Sequence, residues 1–261
     1  MKHKNSLVKL EKIIPNNLLN QIQYIHSSLL SWWILTCGSK PLVFNQQLAM
    51  VFSPHQDDET LGCGGMIARK REQGIPVVVT FLTDGRGSHG LDPHIQNKII
   101  NIRKQESLTA LNILGVEPSK IHFLDKEDGT LKYLKLEEKQ QTISQICELL
   151  QRYQPGEIYV PHHKDCHQDH EATYNLVKEA IAQTGITVAL LQYPIWVFWR
   201  APLFILLNLQ DIAAAYRLSI TSVQDKKQRA ISAYPSQVQM LPRGFIKRFL
   251  NSEEIFFKTE F

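Results

Sequence analysis

Residues 77–82 read Val-Val-Val-Thr-Phe-Leu, an uncharged run rich in β-branched side chains, and it constrains the fold more than any other stretch. A strand that is apolar on both faces must be covered on both faces, as in a parallel sheet between two layers of helices. Ala49–Phe52, Ile121–Leu124 and Glu157–Val160 are further short strand-like runs, and Thr187–Val197 is the longest. Between them lie helical segments: Met66–Gln73, stopped by Gly74-Ile75-Pro76; Ile95, Ile99, Ile102, Leu111 and Leu114, stopped by Gly115; Leu136–Tyr153; and Glu171–Ala182. Strands alternating with helices make βαβ units. The spacing therefore predicts an α/β protein, a three-layer sandwich around a mostly parallel sheet. Residues 1–45 read as a helical N-terminal extension closed by Pro41. Residues 46–261 are enough for one domain with a sizeable core.

Chemistry concentrates at two strand ends. Ser53-Pro-His-Gln-Asp-Asp-Glu-Thr60 follows the run ending in Phe52, and His167-Gln-Asp-His170 follows the strand ending near Pro161. The carboxyl edge of an open α/β sheet is where ligands bind, so His55 and His170 can meet despite their separation in sequence. Either cluster alone reads equally well as a helix cap or a solvated polar turn. Together, at equivalent strand ends, they point to a divalent metal. His55, Asp58 and His170 are the expected ligands, and imidazole plus carboxylate favours zinc, with iron(II) or manganese also fitting.

Asp57 is then left beside a water as general base. His167 is placed to stabilise an oxyanion as imidazolium, with Asp169 raising its pKa, and then to protonate the leaving amine. Glu59 is expected to orient the loop. His162, His163 and Cys166 are rivals for the third ligand position, while His89, His94 and His122 read as ordinary surface or loop residues. The glycines of Gly62–Gly65 lack the pattern of a dinucleotide or phosphate loop and suit close helix–sheet packing.

Composition narrows the remaining classes. An apolar fraction of 43% and a charged fraction of 21% are those of an ordinary globular chain, not a disordered or fibrous one. A net charge of +4 without a basic stripe argues against nucleic acid. Cys37, Cys63, Cys147 and Cys166 form no CxxC pair, and the polar, basic start shows no leader pattern, so a cytoplasmic location is expected. Leu29–Leu35 is too short to span a bilayer. Val188–Leu209 is interrupted by Gln192, Pro194, Arg200, Pro202 and Asn208, which suits a buried strand plus an apolar loop. Peripheral contact with a membrane or an amphiphilic substrate is left open, as is the oligomeric state.

The same residues carry a family resemblance. Ser53-Pro-His-Gln-Asp-Asp-Glu59 resembles the Pro/Ala-His-Pro-Asp-Asp-Glu signature of the PIG-L/LmbE-like deacetylases, and His167-Gln-Asp-His170 resembles their His-Pro-Asp-His. Thr83-Asp84-Gly85, Arg103-Lys-Gln-Glu106, and Lys227-Gln-Arg-Ala230 with Tyr234-Pro-Ser236-Gln237 are similar to three further family motifs, in order, over roughly residues 47–240. The resemblance implies a Rossmann-like fold and zinc-dependent removal of an N-acetyl group. The implied substrate is of the N-acetylglucosamine type, a small molecule or a lipid-linked conjugate.

It also implies the same ligands, base and oxyanion partner, and adds Arg103 and Arg86 as substrate contacts. Gln56 and Gln168 replace the two signature prolines, with only a small effect on loop stiffness expected. The segment from Tyr193 to Leu209 is expected to border the acceptor part of the site, its aromatic residues facing a sugar ring or packing as core. Two rival readings are an amidase of a larger acyl or thiol conjugate and a catalytically silent glycan- or lipid-binding relative. Intact Asp57 and His167 argue against the silent relative.

Overall fold

In the computed structural model, which describes residues 15–87, 92–200, 207 and 209–259, eight strands join into one sheet. They are β1 (Lys40–Pro41), β2 (Ala49–Ser53), β3 (Val77–Thr83), β4 (Ile121–Lys126), β5 (Glu157–Pro161), β6 (Ala189–Tyr193), β7 (Ala215–Ser219) and β8 (Glu253–Thr259). Their spatial order is β1-β7-β8-β6-β5-β2-β3-β4. Every pairing is parallel except those of β8 with β6 and with β7. The longer helices are α1 (Asn16–Trp33), α2 (Asp58–Glu72), α3 (Pro93–Leu114), α4 (Leu136–Tyr153), α5 (Gln168–Thr184) and α6 (Gln224–Ser232).

Alternation along β2 explains the layers. Ala49 and Val51 enter one core with Val77, Val79, Leu111, Leu114 and Ala230, on the side of α2, α3 and α6. Met50 and Phe52 enter the other with Val78, Ile146, Leu150 and Val177, on the side of α4 and α5. Burying each such side chain contributes about 1.5–3 kcal/mol, so short strands without a polar face hold their place. This is the three-layer, mostly parallel architecture the spacing predicts. A third cluster joins Leu30 and Ile34 to Val197, Phe198 and Phe257, and docks α1 onto the β8 side of the sheet.

Several boundaries differ from the sequence reading. Helix α2 begins at Asp58 rather than near Met66. Twelve of its fifteen residues are buried, so it has no polar face for periodicity to detect. Its glycines serve close approach: a Cβ on Gly62 would lie 2.3 Å from Tyr193 Cδ2, and one on Gly65 would lie 2.4 Å from Ile220 Cγ2. Helix α5 begins at Gln168, inside the second histidine cluster. The run Thr187–Val197 is strand only over 189–193; the chain turns at Pro194 and forms a helical turn at Val197–Arg200.

Strands β1, β7 and β8 were not anticipated. Residues 1–14 of the extension, His89, and positions 201–206 and 208 of the apolar segment lie outside the described residues. Among the described residues no helix is long and apolar enough to cross a membrane.

The sheet order sets the site. From β2 the chain builds outward through β3 and β4, then returns to place β5 on the other flank of β2. That reversal is a topological switch point, and a crevice opens there at the carboxyl ends of the strands. Both histidine clusters follow those two strands.

Candidate metal centre

His55 leaves the end of β2 in a tight loop. The Ser53 hydroxyl donates to its carbonyl at 2.7 Å, and its own N–H donates to Asp58 Oδ2 at 3.3 Å. Asp57, the N-cap of α2, sits at φ +144°, a strained conformation for a residue with a side chain. Glu59, fully buried, accepts from Asp57 N–H at 3.1 Å and from the Thr60 and Tyr234 hydroxyls, and so holds the loop. Burial pushes the Glu59 carboxyl up to about 7.

The two expected histidine ligands meet at Asp58. Its Oδ2 lies 3.0 Å from His55 Nδ1 and 3.2 Å from His170 Nε2. The contact to His170 lacks hydrogen-bond alignment, so that buried nitrogen has no hydrogen-bond partner. Behind each ring stands another carboxylate. His55 Nε2 faces Asp128 Oδ1 at 3.1 Å and Asp169 Oδ2 at 3.3 Å, and His170 Nδ1 faces Asp165 Oδ2 at 2.6 Å.

This buried histidine and aspartate cluster can hold a divalent metal. Ligating histidines characteristically give their other N–H to a carboxylate, and donors about 2.1 Å from a tetrahedral ion stand about 3.4 Å apart. Burial opposes charge on both rings, yet the surrounding carboxylates win. They hold His55 well above its ordinary value, and Asp58 and Asp165 lift His170 to about 9. Burial would raise Asp58, but the two imidazoles outweigh it and keep that carboxyl far below the carboxylate range.

Asp57 and His167 complete the arrangement. Burial and neighbouring Asp58 push the Asp57 carboxyl up to about 8, against Arg103 and His55. His167 is the N-cap of α5, and its Nδ1 accepts from Asp169 N–H at 3.3 Å. With Nδ1 accepting, the ring proton sits on Nε2, which makes the ring a donor in this arrangement. Burial, with the His170 and His55 rings alongside, lowers its pKa to about 3. Asp169, expected to charge His167, turns its carboxylate to His55 and to the N–H groups of Gly129 (2.7 Å) and Leu131 (3.1 Å).

The remaining candidates sort clearly. Among the described residues, ligating atoms lie within 4.8 Å of one another in His55–His167–His170 and in His55–Asp128–Asp169. His163 is turned to Gln192 Oε1, at 2.9 Å from Nδ1; the buried His162 packs edge-on against Phe257; Cys166 donates to Lys164 O. None of these rivals joins the cluster.

Arg103 sits within reach of Asp57, its guanidinium 3.7 Å from Oδ1, and donates to the carbonyls of Gly85 (3.1 Å) and Gln56 (3.2 Å). Arg86 is taken by Asp84, at 2.6 Å, and Glu127, and does not line the crevice. Its expected substrate contact therefore has no geometry behind it. Asp128 and Asp165 were missed. Asp165 had a signal, five positions before His170 in a loop crowded with polar residues; Asp128, in the turn after β4, had none.

The crevice has a volume of about 190 Å³. His55, Asp57, Asp58, Arg103, Asp128 and His167 make its polar side, and Ile195, Trp196, Met240, Leu241 and Phe245 its apolar side. Trp196 stacks on Phe245 with ring centroids 4.3 Å apart. A larger recess of about 670 Å³, beside α1 and lined by Tyr24, Trp32 and Arg248, includes none of the clustered ligating residues.

Known proteins resemble this chain in sequence and in fold. A diacetylchitobiose deacetylase from Thermococcus kodakarensis is 29% identical over 202 residues, covering 72% of this chain and 69% of the relative. A probable N-acetyl-alpha-D-glucosaminyl L-malate deacetylase 2 from Bacillus subtilis is 26% identical, covering 79% and 90%. Among solved structures, an N,N'-diacetylchitobiose deacetylase from Pyrococcus horikoshii superposes with a TM-score of 0.63 at 21% identity, over 88% of this chain and 90% of that one, a likeness of fold. Residues 50–181, half of the chain and the span holding both histidine clusters, match the family profile described as PIG-L, GlcNAc-PI de-N-acetylase. The chain belongs to the PIG-L family of de-N-acetylases.

Proposed function

We propose that the protein is a zinc-dependent N-deacetylase acting on a small N-acetylated amino sugar of the N-acetylglucosamine type, or on its conjugate. One observation carries the reading: two imidazoles, each backed by a carboxylate, converge on Asp58 at 3.0 and 3.2 Å, beside Asp57 and His167 in the same crevice. His55, Asp58 and His170 would hold the metal. Zinc suits this nitrogen and oxygen set, and iron(II) or manganese would also fit it. A zinc ion held there supplies Lewis acidity.

The protein's own groups do the rest. Asp57 takes a proton from the attacking water, and its raised pKa suits a group that must bind and return a proton near neutral pH. His167 offers its Nε2–H to the oxygen that gains charge as water adds to the acetamide carbon. As the C–N bond breaks, the Asp57 carboxyl returns the proton to the departing amine. A neutral His167 cannot give up that proton without forming imidazolate, so the acid role expected of it passes to Asp57. Arg103, 3.7 Å from Asp57, keeps the loop and the base in place. The apolar side at Trp196 and Phe245 suits the face of a sugar ring.

The relatives' activities on diacetylchitobiose and N-acetylglucosaminyl malate support the substrate class. An acetate-release screen over N-acetylglucosamine conjugates tests the proposal. We expect release that a chelator abolishes and zinc restores; zinc-loaded protein that binds these glycans and releases no acetate would favour the silent relative.

A further inference from the structure

Asp165 is fully buried at the turn between β5 and α5, and both of its oxygens are engaged. Oδ2 lies 2.6 Å from His170 Nδ1. Oδ1 accepts three consecutive backbone N–H groups, from Ile195, Trp196 and Val197, each at 2.9 Å. Those N–H groups open the helical turn at Val197–Arg200 and would otherwise be orphaned at a buried helix start. Ile195 and Trp196 in turn form part of the apolar side of the crevice.

We propose that Asp165 is a positioning residue that ties His170 to the crevice wall at Ile195 and Trp196, one carboxylate serving both. The inference rests on the reading of His170 as a metal ligand. To ligate through Nε2, a neutral His170 must carry its proton on Nδ1, and Asp165 Oδ2 is the acceptor that keeps it there. The three N–H donors fix the other oxygen, so the carboxylate cannot turn away from the ring. A shift of the wall at 195–197 is thereby transmitted to His170 through one rigid group.

The two oxygens can be separated by substitution. In Asp165→Asn the amide oxygen stays with the three N–H donors, because the amide NH₂ in that place would face three donors. The NH₂ then faces His170 Nδ1 and favours the tautomer with its proton on Nε2. In Asp165→Ala both links are lost. Zinc affinity by chelator competition and hydrogen exchange at residues 195–197 read the two links independently of activity. We expect Asp165→Asn to lose about 10–100-fold in zinc affinity with wild-type protection at 195–197, and Asp165→Ala to lose both. Wild-type zinc affinity in Asp165→Asn, or wild-type protection in Asp165→Ala, would overturn the inference. Should Asp165→Ala fail to fold, Asp165→Asn decides alone. Wild-type protein that took up no zinc would overturn the metal reading and this inference with it, a result distinct from uptake that Asp165→Asn merely matched.

Discussion

The loop after β2 and the loop after β5 each deliver one imidazole to Asp58, and they support it by opposite means. His170 is backed from within its own loop by Asp165. His55 is backed from a distance, by Asp128 in the turn after β4 and by Asp169 at the start of α5. The second loop therefore supplies its own backing carboxylate, anchored in turn by the N–H groups of 195–197, whereas the first draws its backing carboxylates from two other strand ends. Asp169 crosses between them: it follows β5 in sequence, holds the turn at 129–131, and faces the ring that follows β2. A ligand supported locally can be read from spacing. One supported by tertiary contacts cannot.

The contrast can be broken by substitution. The largest effect is expected for His55→Ala and His170→Ala, each of which removes a donor; we expect neither variant to retain stoichiometric zinc on dialysis. Next come the supports of His55. Asp128→Asn and Asp169→Asn should lower zinc affinity by about 10–100-fold, with Asp169→Asn the more damaging because its carboxylate also holds Gly129 and Leu131. Unchanged zinc uptake in both variants would mean that His55 needs no distant support, and the contrast between the loops would collapse.

The smallest effect concerns the glutamines that stand where the family signature has proline. Gln56 Nε2 donates to Thr83 O at 2.8 Å, and Gln168 Nε2 to Gly129 O at 2.7 Å. Each loop has a tether to a neighbouring strand-end segment, so these residues do more than the loss of stiffness expected from sequence. Their alanine variants should cost about 0.5–1.5 kcal/mol by denaturant titration, Gln56 more than Gln168 because it is fully buried.

What the sequence revealed follows the same division between local and distant. The apolar runs of β2, β3 and β5 and the two histidine clusters were legible because each is a short contiguous pattern. Helix α2 was half hidden, since burial on all sides removes the periodicity that marks a surface helix. Strand β8 was invisible: Glu253-Glu254-Ile255-Phe256-Phe257-Lys258-Thr259 carries three charges. Its Glu254 is nevertheless buried, accepting from Gly65 N–H (2.7 Å), Met66 N–H (2.8 Å) and Lys227 Nζ (2.7 Å) inside the fold. Nothing in local spacing marks a carboxylate that will pair with a helix some 190 residues earlier. The partners of the Asp169 carboxylate were hidden for a related reason. Asp169 is two positions from His167 in sequence, but helix formation turns its N–H, not its carboxylate, toward that ring.

The central claim is a division of labour within one loop, in which Asp58 holds the metal and Asp57 moves the proton. Asp57→Asn tests it most directly, since asparagine keeps the side chain's size and meets the same backbone strain as aspartate at φ +144°. Zinc stoichiometry and acetate release are measured on the same preparation. We expect one zinc per chain, as in the wild type, with acetate release slower by about 10²–10⁴-fold. Undiminished acetate release from the zinc-loaded variant would contradict the assignment of Asp57 as the base.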